Sequence, residues 1–115
     1  MKRAPAAAPA LTALPNIGKE VAALLTTAGI ATADDLRRAG AVAAALRIRE
    51  VRPQDPPCRS LLAGLEGAIR GIRWHDIPGL EREAQWQEYE ALAARETSSA
   101  ALRRSASSRT RNRRG

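Results

Sequence analysis

Phenylalanine is absent from this 115-residue sequence, which holds one tyrosine, two tryptophans, one histidine and one cysteine. A lone cysteine excludes an internal disulfide and a cysteine-cluster metal site. The single histidine has no second acid–base group of suitable type beside it, so no catalytic pair, metal or cofactor is expected. No apolar run approaches the ~20 residues that a membrane helix needs. The basic N-terminus also lacks the apolar centre of a signal peptide. These absences leave the cytoplasm as the default location and no membrane partner. What the chain does have is alanine, 25 residues in a sequence that is 44% hydrophobic. Ala-rich, aromatic-poor composition favours closely packed helices over a sheet. The expectation is one small all-α domain.

Charge is abundant but unevenly placed. The net charge is +7, yet residues 10–95 carry eleven basic and eleven acidic side chains. The excess lies in Lys2 and Arg3 and in residues 96–115, where six arginines face only Glu96. A pI of 11.2 suggests nucleic-acid contact, and this partition moves that suggestion to the C-terminal segment. Within the neutral part, Leu36 to His75 hold eight arginines against three acids. That stretch offers either a basic face or a set of solvated helix surfaces.

Along the chain, residues 1–9 look like a flexible leader and residues 96–115 like a disordered Arg/Ser-rich tail. Residues 10–95 form the domain between them, with five to six helices. Ala10–Leu14 make a short helical turn stopped by Pro15, and Asn16-Ile17-Gly18 a tight turn in which Gly18, opening the next helix, would supply a positive φ. A helix over about 19–28 would bury Val21, Leu24, Leu25 and Ala28. Gly29 closes it, and Ile30 follows as an apolar plug. Thr32 caps a short helix over 33–39, with Asp34 and Asp35 in its first turn. Gly40 ends that helix, and another over 41–50 turns Val42, Ala45 and Leu46 inward.

After the proline-rich loop 52–57 the pattern predicts a central helix over about 58–73. Leu61, Leu62, Leu65, Ile69 and Ile72 share one face, and Gly64, Gly67, Ala68 and Gly71 a second. Arg59, Glu66, Arg70 and Arg73 form the remaining strip. Interior glycines cost roughly 1 kcal/mol each, so three on one face imply a neighbouring helix lying very close. Pro78 opens a last helix over about 79–95. That helix has two weak stripes, Leu80, Ala84, Ala91 and Leu92 on one side and Trp86, Tyr89 and Ala93 on the other. Trp74 beside an apolar helix end reads as core, His75 as a connector residue and Cys58 as an inert thiol.

The segment from Leu14-Pro15-Asn16-Ile17-Gly18-Lys19 to Thr32-Ala33-Asp34-Asp35-Leu36 resembles a helix-hairpin-helix element. Its turn presents backbone N–H groups at a helix N-terminus, where the usual ligand is nucleic-acid phosphate, held without sequence preference. The third turn position, commonly glycine in DNA-binding hairpins, is Asn16, a residue that tolerates left-handed backbone. Continuing through Leu36-Arg37-Arg38-Ala39-Gly40, then Leu61-Leu62-Ala63-Gly64-Leu65-Glu66-Gly67-Ala68-Ile69-Arg70-Gly71-Ile72-Arg73-Trp74 and Asp76-Ile77-Pro78, the chain resembles the C-terminal domain of the TfoX/Sxy regulators of DNA transformation competence. The likeness spans about residues 11–92. It implies an all-helical domain in a bacterial regulatory protein, not an enzyme. Candidate nucleic-acid contacts are Asn16, Ile17, Gly18 and Lys19 in the turn, with Arg103, Arg104, Arg109, Arg111, Arg113 and Arg114 in the tail. The partner expected is a nucleic-acid backbone or a regulatory protein. The competing reading is a purely protein-binding adaptor with the hairpin as scaffold.

Overall fold

A computed structural model describes residues 10–114, with side chains described as far as Thr97. The leader expected over 1–9 lies outside the described residues. The order is a 3-10 turn Leu11–Ala13, α1 Lys19–Thr27, α2 Ala33–Ala39, α3 Ala41–Val51, α4 Arg59–Arg70, a second 3-10 turn Trp74–Asp76, and α5 Gly79–Arg114. Among the described residues there is no strand, and no helix is long and apolar enough to cross a membrane.

Two helices end alike. Ile30 N–H donates to Leu25 O at 2.8 Å and Ile72 N–H to Gly67 O at 2.9 Å, each across a left-handed glycine, Gly29 (φ 91°) and Gly71 (φ 79°). This six-residue closure satisfies carbonyls that a helix end would otherwise leave bare. Of the residues after these glycines, Ile30 is fully buried and Ile72 half-buried. Thr32 caps α2 as expected, its Oγ1 accepting from Asp35 N–H at 3.1 Å. The Asp35 carboxylate reaches back to accept from Ala31 N–H at 3.2 Å. That bond, helped by Thr32 and Arg38, holds the Asp35 carboxyl below its ordinary range against the opposing effect of desolvation.

The core gathers on α3 and α4. Leu25, Ile30, Leu36, Ile48, Leu62, Leu65 and Ile77 are the largest fully buried side chains, each contributing about 1.5–3 kcal/mol by leaving water. On α3 the inward face is Ala41, Ala44, Ala45 and Ile48, with Val42 and Leu46 half-buried beside it. The alanines there let α4 and α5 pack closely against α3.

Four expectations are corrected. First, α4 spans Arg59–Arg70 rather than 58–73, because Gly71 is its cap and not part of its small face. Second, that face does not meet a neighbouring helix. A Cβ on Gly67 would come within 2.6 Å of Asn16 Nδ2 and 2.7 Å of Ile72 O, so the close neighbours are a loop residue and the chain's own turn after α4. Third, only one of the two α5 stripes is buried: Trp86, Tyr89 and Ala93 dock on the core, as expected for the two aromatics, while Leu80 is 87% exposed and Ala84 and Ala91 face outward. Aromatic bulk outweighs the smaller stripe in choosing the buried side. Fourth, α5 does not stop near Arg95. No proline or glycine interrupts residues 80–114, and Ala, Arg, Glu and Gln sustain a helix. The tail expected from residue 96 thus starts within α5.

Candidate nucleic-acid interface

The turn before α1 is built around Asn16. Pro15 restricts the residue before it to extended backbone, and Asn16 then takes φ 69°, the one left-handed non-glycine among the described residues. Its side chain is occupied internally. Nδ2 donates to Ile72 O at 2.9 Å and to Gly64 O at 3.3 Å, while Oδ1 accepts from Trp74 N–H at 3.3 Å. One amide thus ties the N-terminal turn to the end of α4 and to the connector that follows. Glycines at 64 and 67 leave the room it needs. Ile17, the next residue, is buried at 6% exposure and joins the core.

Gly18 and Lys19 point the other way. Both are exposed, and a Cβ on Gly18 would meet nothing within 4 Å. Gly18 caps α1 in ordinary extended geometry (φ −94°), so the positive φ expected at Gly18 belongs to Asn16 instead. No side chain caps the first turn of α1, and Glu20 lies in it. Among the four turn candidates, therefore, Ile17 is buried, Asn16 is exposed but hydrogen-bonded within the chain, and Gly18 and Lys19 are exposed. The side chains of Arg103, Arg104, Arg109, Arg111, Arg113 and Arg114 lie outside the described residues.

The arginines of residues 36–75 are mostly engaged. Arg37 pairs with Asp34 at 3.1 Å, and Arg70 bridges Glu66 at 2.7 Å and Glu81 at 2.9 Å. Arg38 pairs with Asp35, Arg52 with Asp55 and Arg59 with Glu83. The bonds to Glu66 and Glu81 push the Arg70 guanidinium up, while Gln87 and then Arg59 hold the Glu83 carboxyl down. Part of the +5 counted in this stretch is thus balanced in space by acids of α5, which the linear sequence separates from it. Arg47 and Arg73 have no ion-pair partner among the described residues.

One cluster escaped the sequence reading. Trp74 is not core: it is half-buried, stacks on His75 at 4.0 Å between centroids, and carries the Arg82 guanidinium 5.4 Å above its ring. With Arg59, Ser60, Glu83 and Ala63 it lines a cleft of about 180 Å³ between α4 and the start of α5. The Arg82 Nε–H is spent on Ile77 O at 3.0 Å. Adjacent Trp and His in a connector, eight residues before an arginine, was the available signal; an isolated tryptophan beside a leucine-rich helix pointed to the core instead.

Residues 7–89 match the family model described as the TfoX C-terminal domain. The chain belongs to that family. No curated protein matches it. Two solved structures from Listeria monocytogenes are similar to this TfoX C-terminal domain. An uncharacterized protein in a triclinic form is 38% identical with a TM-score of 0.66, covering 72% of this chain and 92% of that one. A protein of unknown function in a tetragonal form is 39% identical with a TM-score of 0.65, covering 71% of this chain and 98% of that one. The family match ends at residue 89, so the last 25 residues of the α5 backbone, 90–114, run on beyond the TfoX C-terminal domain proper.

Proposed function

We propose that this chain is a non-enzymatic regulatory module of the TfoX type, acting in DNA-linked control through contact with a nucleic-acid backbone. The observation that carries the reading is the charge partition on the folded chain. The body is neutral over residues 10–95 and uses at least five of its arginines in internal ion pairs. Six arginines between 103 and 114 face no acid closer in sequence than Glu96. Contact of this kind neutralises phosphates, releases counterions and carries little base information. Lys19, at the uncapped start of α1, adds one further cation beside exposed backbone.

The test is a fluorescence-anisotropy titration of the full chain with duplex DNA at several salt concentrations. Each phosphate neutralised contributes about −0.9 to the log–log salt slope, so six arginines set a ceiling of about −5. Replacing Arg103, Arg104, Arg109, Arg111, Arg113 and Arg114 with Gln should remove most of the affinity and most of the slope. An unchanged isotherm would pass the role to the folded body. Complete absence of DNA binding by the parent chain would favour the second reading, a protein-binding adaptor, which the neutrality of residues 10–95 supports.

A further inference from the structure

Two arginines, each held over a tryptophan, line the cleft between α4 and the start of α5. The Arg59 guanidinium lies 5.2 Å from the centre of the Trp86 ring and pairs with one oxygen of Glu83. Gln87 Nε2–H donates to the other oxygen of Glu83 at 2.7 Å, so both oxygens of that carboxylate are taken. Arg82 has no such partner. Its Nε–H is spent on Ile77 O and its plane lies over Trp74, yet no carboxylate pairs with it among the described residues. Its Nη2 lies beside the first residue of α5, 3.8 Å from where a Cβ on Gly79 would stand. The Nη fork of Arg82 is thus held in place by ring and carbonyl but left without an anion. Two arginines against one glutamate leave the cleft with one positive charge in excess. Trp74 and Ala63 give it an apolar wall, and the exposed Ser60 brings a hydroxyl to its rim.

We propose that this cleft binds a single carboxylate borne on a small apolar group, supplied by a free monocarboxylic acid or by the C-terminus of a peptide. A planar carboxylate meets a guanidinium fork in two parallel hydrogen bonds, and a fork already fixed in direction loses little freedom in making them. The single negative charge balances the single positive excess. A phosphate monoester, at about −1.5 to −2, would overshoot it. A nucleic acid is drawn by many charges at once, whereas residues 10–95 sum to zero. Size points the same way. A cavity of about 150 Å³ holds a benzene-sized molecule, and drug-sized ligands need roughly 300 Å³ or more. At about 180 Å³ the cleft takes a ring or a branched side chain with its carboxylate, and little beyond. Arg59 offsets the charge of Glu83 through their ion pair, so the one acid in the cleft does not repel the ligand unopposed. None of the arginines used here lies in the C-terminal set invoked for nucleic-acid contact.

The experiment is an NMR titration of the ¹⁵N-labelled full chain with sodium benzoate, followed at the Arg82 Nε–H and the Trp74 indole N–H. Benzoate should shift both signals to saturation, and benzamide, its uncharged analogue, should move neither. Arg82→Gln should weaken benzoate about tenfold or more, the loss expected for a charge-assisted pair. Ser60→Phe keeps both arginines and fills the cleft from an exposed position of α4, so it should abolish the shifts in a chain that still gives a folded spectrum. An N-acetylated Ala-Ala-Leu tripeptide and its C-terminal amide separate the two sources. Shifts with the peptide acid but not with the amide assign a peptide terminus, and shifts with benzoate alone assign a free acid. Benzoate that leaves both signals unmoved would overturn the proposal, as would equal shifts with benzamide or parent-like binding by Arg82→Gln or Ser60→Phe. Equal binding of dimethyl phosphate would overturn the choice of carboxylate over phosphodiester. No nucleic acid is present, so none of these outcomes bears on the DNA-contact reading.

Discussion

The Leu14–Gly18 turn and the C-terminal half of α5 both carry candidate contacts, and they use polarity in opposite ways. At the turn, the side-chain amide of the exposed residue Asn16 is bonded within the chain, to the carbonyls of Gly64 and Ile72 and to the N–H of Trp74. Along α5, charge is carried on a helix that extends past the family domain. With both its nitrogen and its oxygen so bonded, the Asn16 amide has little capacity left for a ligand. The six arginines between 103 and 114 have no acid closer in sequence than Glu96. The turn therefore serves the fold, and under the proposed function the C-terminal half of α5 supplies the contact.

That contrast can be broken most severely at Gly67. A Leu there would push on Asn16 Nδ2 and on Ile72 O at once, and neither a hydrogen-bonded amide nor a capped backbone can retreat. The expected loss is about 3 kcal/mol, toward the upper end of overpacking costs, and a urea melt measures it. Exposed glycine replacements in a helix would instead stabilise it, so an unchanged midpoint would contradict the packing described. Next in size is Asn16. Asn16→Ala loses both the hydrogen bonds and the tolerance of φ 69°, for a loss of about 2–3 kcal/mol. Asn16→Gly loses only the bonds and should be less damaging by about 1 kcal/mol. If the two variants melt together, the left-handed backbone is not what selects asparagine.

Smaller effects sharpen the comparison from the helix ends. Thr32→Ala removes the bond from Asp35 N–H and should cost about 1 kcal/mol in thermal or urea unfolding. Gly18→Ala should change stability by no more than about 0.5 kcal/mol, since φ there is ordinary and the space is open. Asp35 sets a pH dependence. Its carboxyl is held below the unfolded value, so its contribution is present at neutral pH and disappears as the pH falls through the folded value. The stability gap between the parent and Asp35→Asn should therefore narrow from pH 7 to about pH 3. A gap that widened in acid would mean that the carboxyl is held up rather than down.

Local chemistry made much of the fold legible in the sequence. The Gly29-Ile30 corner, the Thr32–Asp35 cap and the break at Gly40 each depend on residues within a few positions of one another, and all three stand where expected. So does the family likeness, which residues 7–89 bear out. Long-range choices were less legible. Nothing near Gly67 in sequence says that its neighbour is Asn16, 51 positions away. Of the two stripes of α5, aromatic bulk marked the Trp86 and Tyr89 side for the core, while the full exposure of Leu80 showed only with the helix in place. The pairing of Arg59 and Arg70 with Glu83 and Glu81 needs α4 and α5 side by side, so a count over residues 36–75 overstated the basic face. At the candidate interface, the turn was found correctly as a structural feature, while the internal engagement of Asn16 emerged only with its partners in place.

The division of labour between turn and helix is tested most directly by two salt-dependent DNA titrations run together. One uses Lys19→Ala. The other uses the variant with all six C-terminal arginines replaced by Gln. The Lys19 change should alter the log–log slope by no more than about 1, and the six-arginine change by up to about 5. The reverse order, with the slope lost at Lys19 and kept without the arginines, would contradict the account and make the turn the phosphate reader.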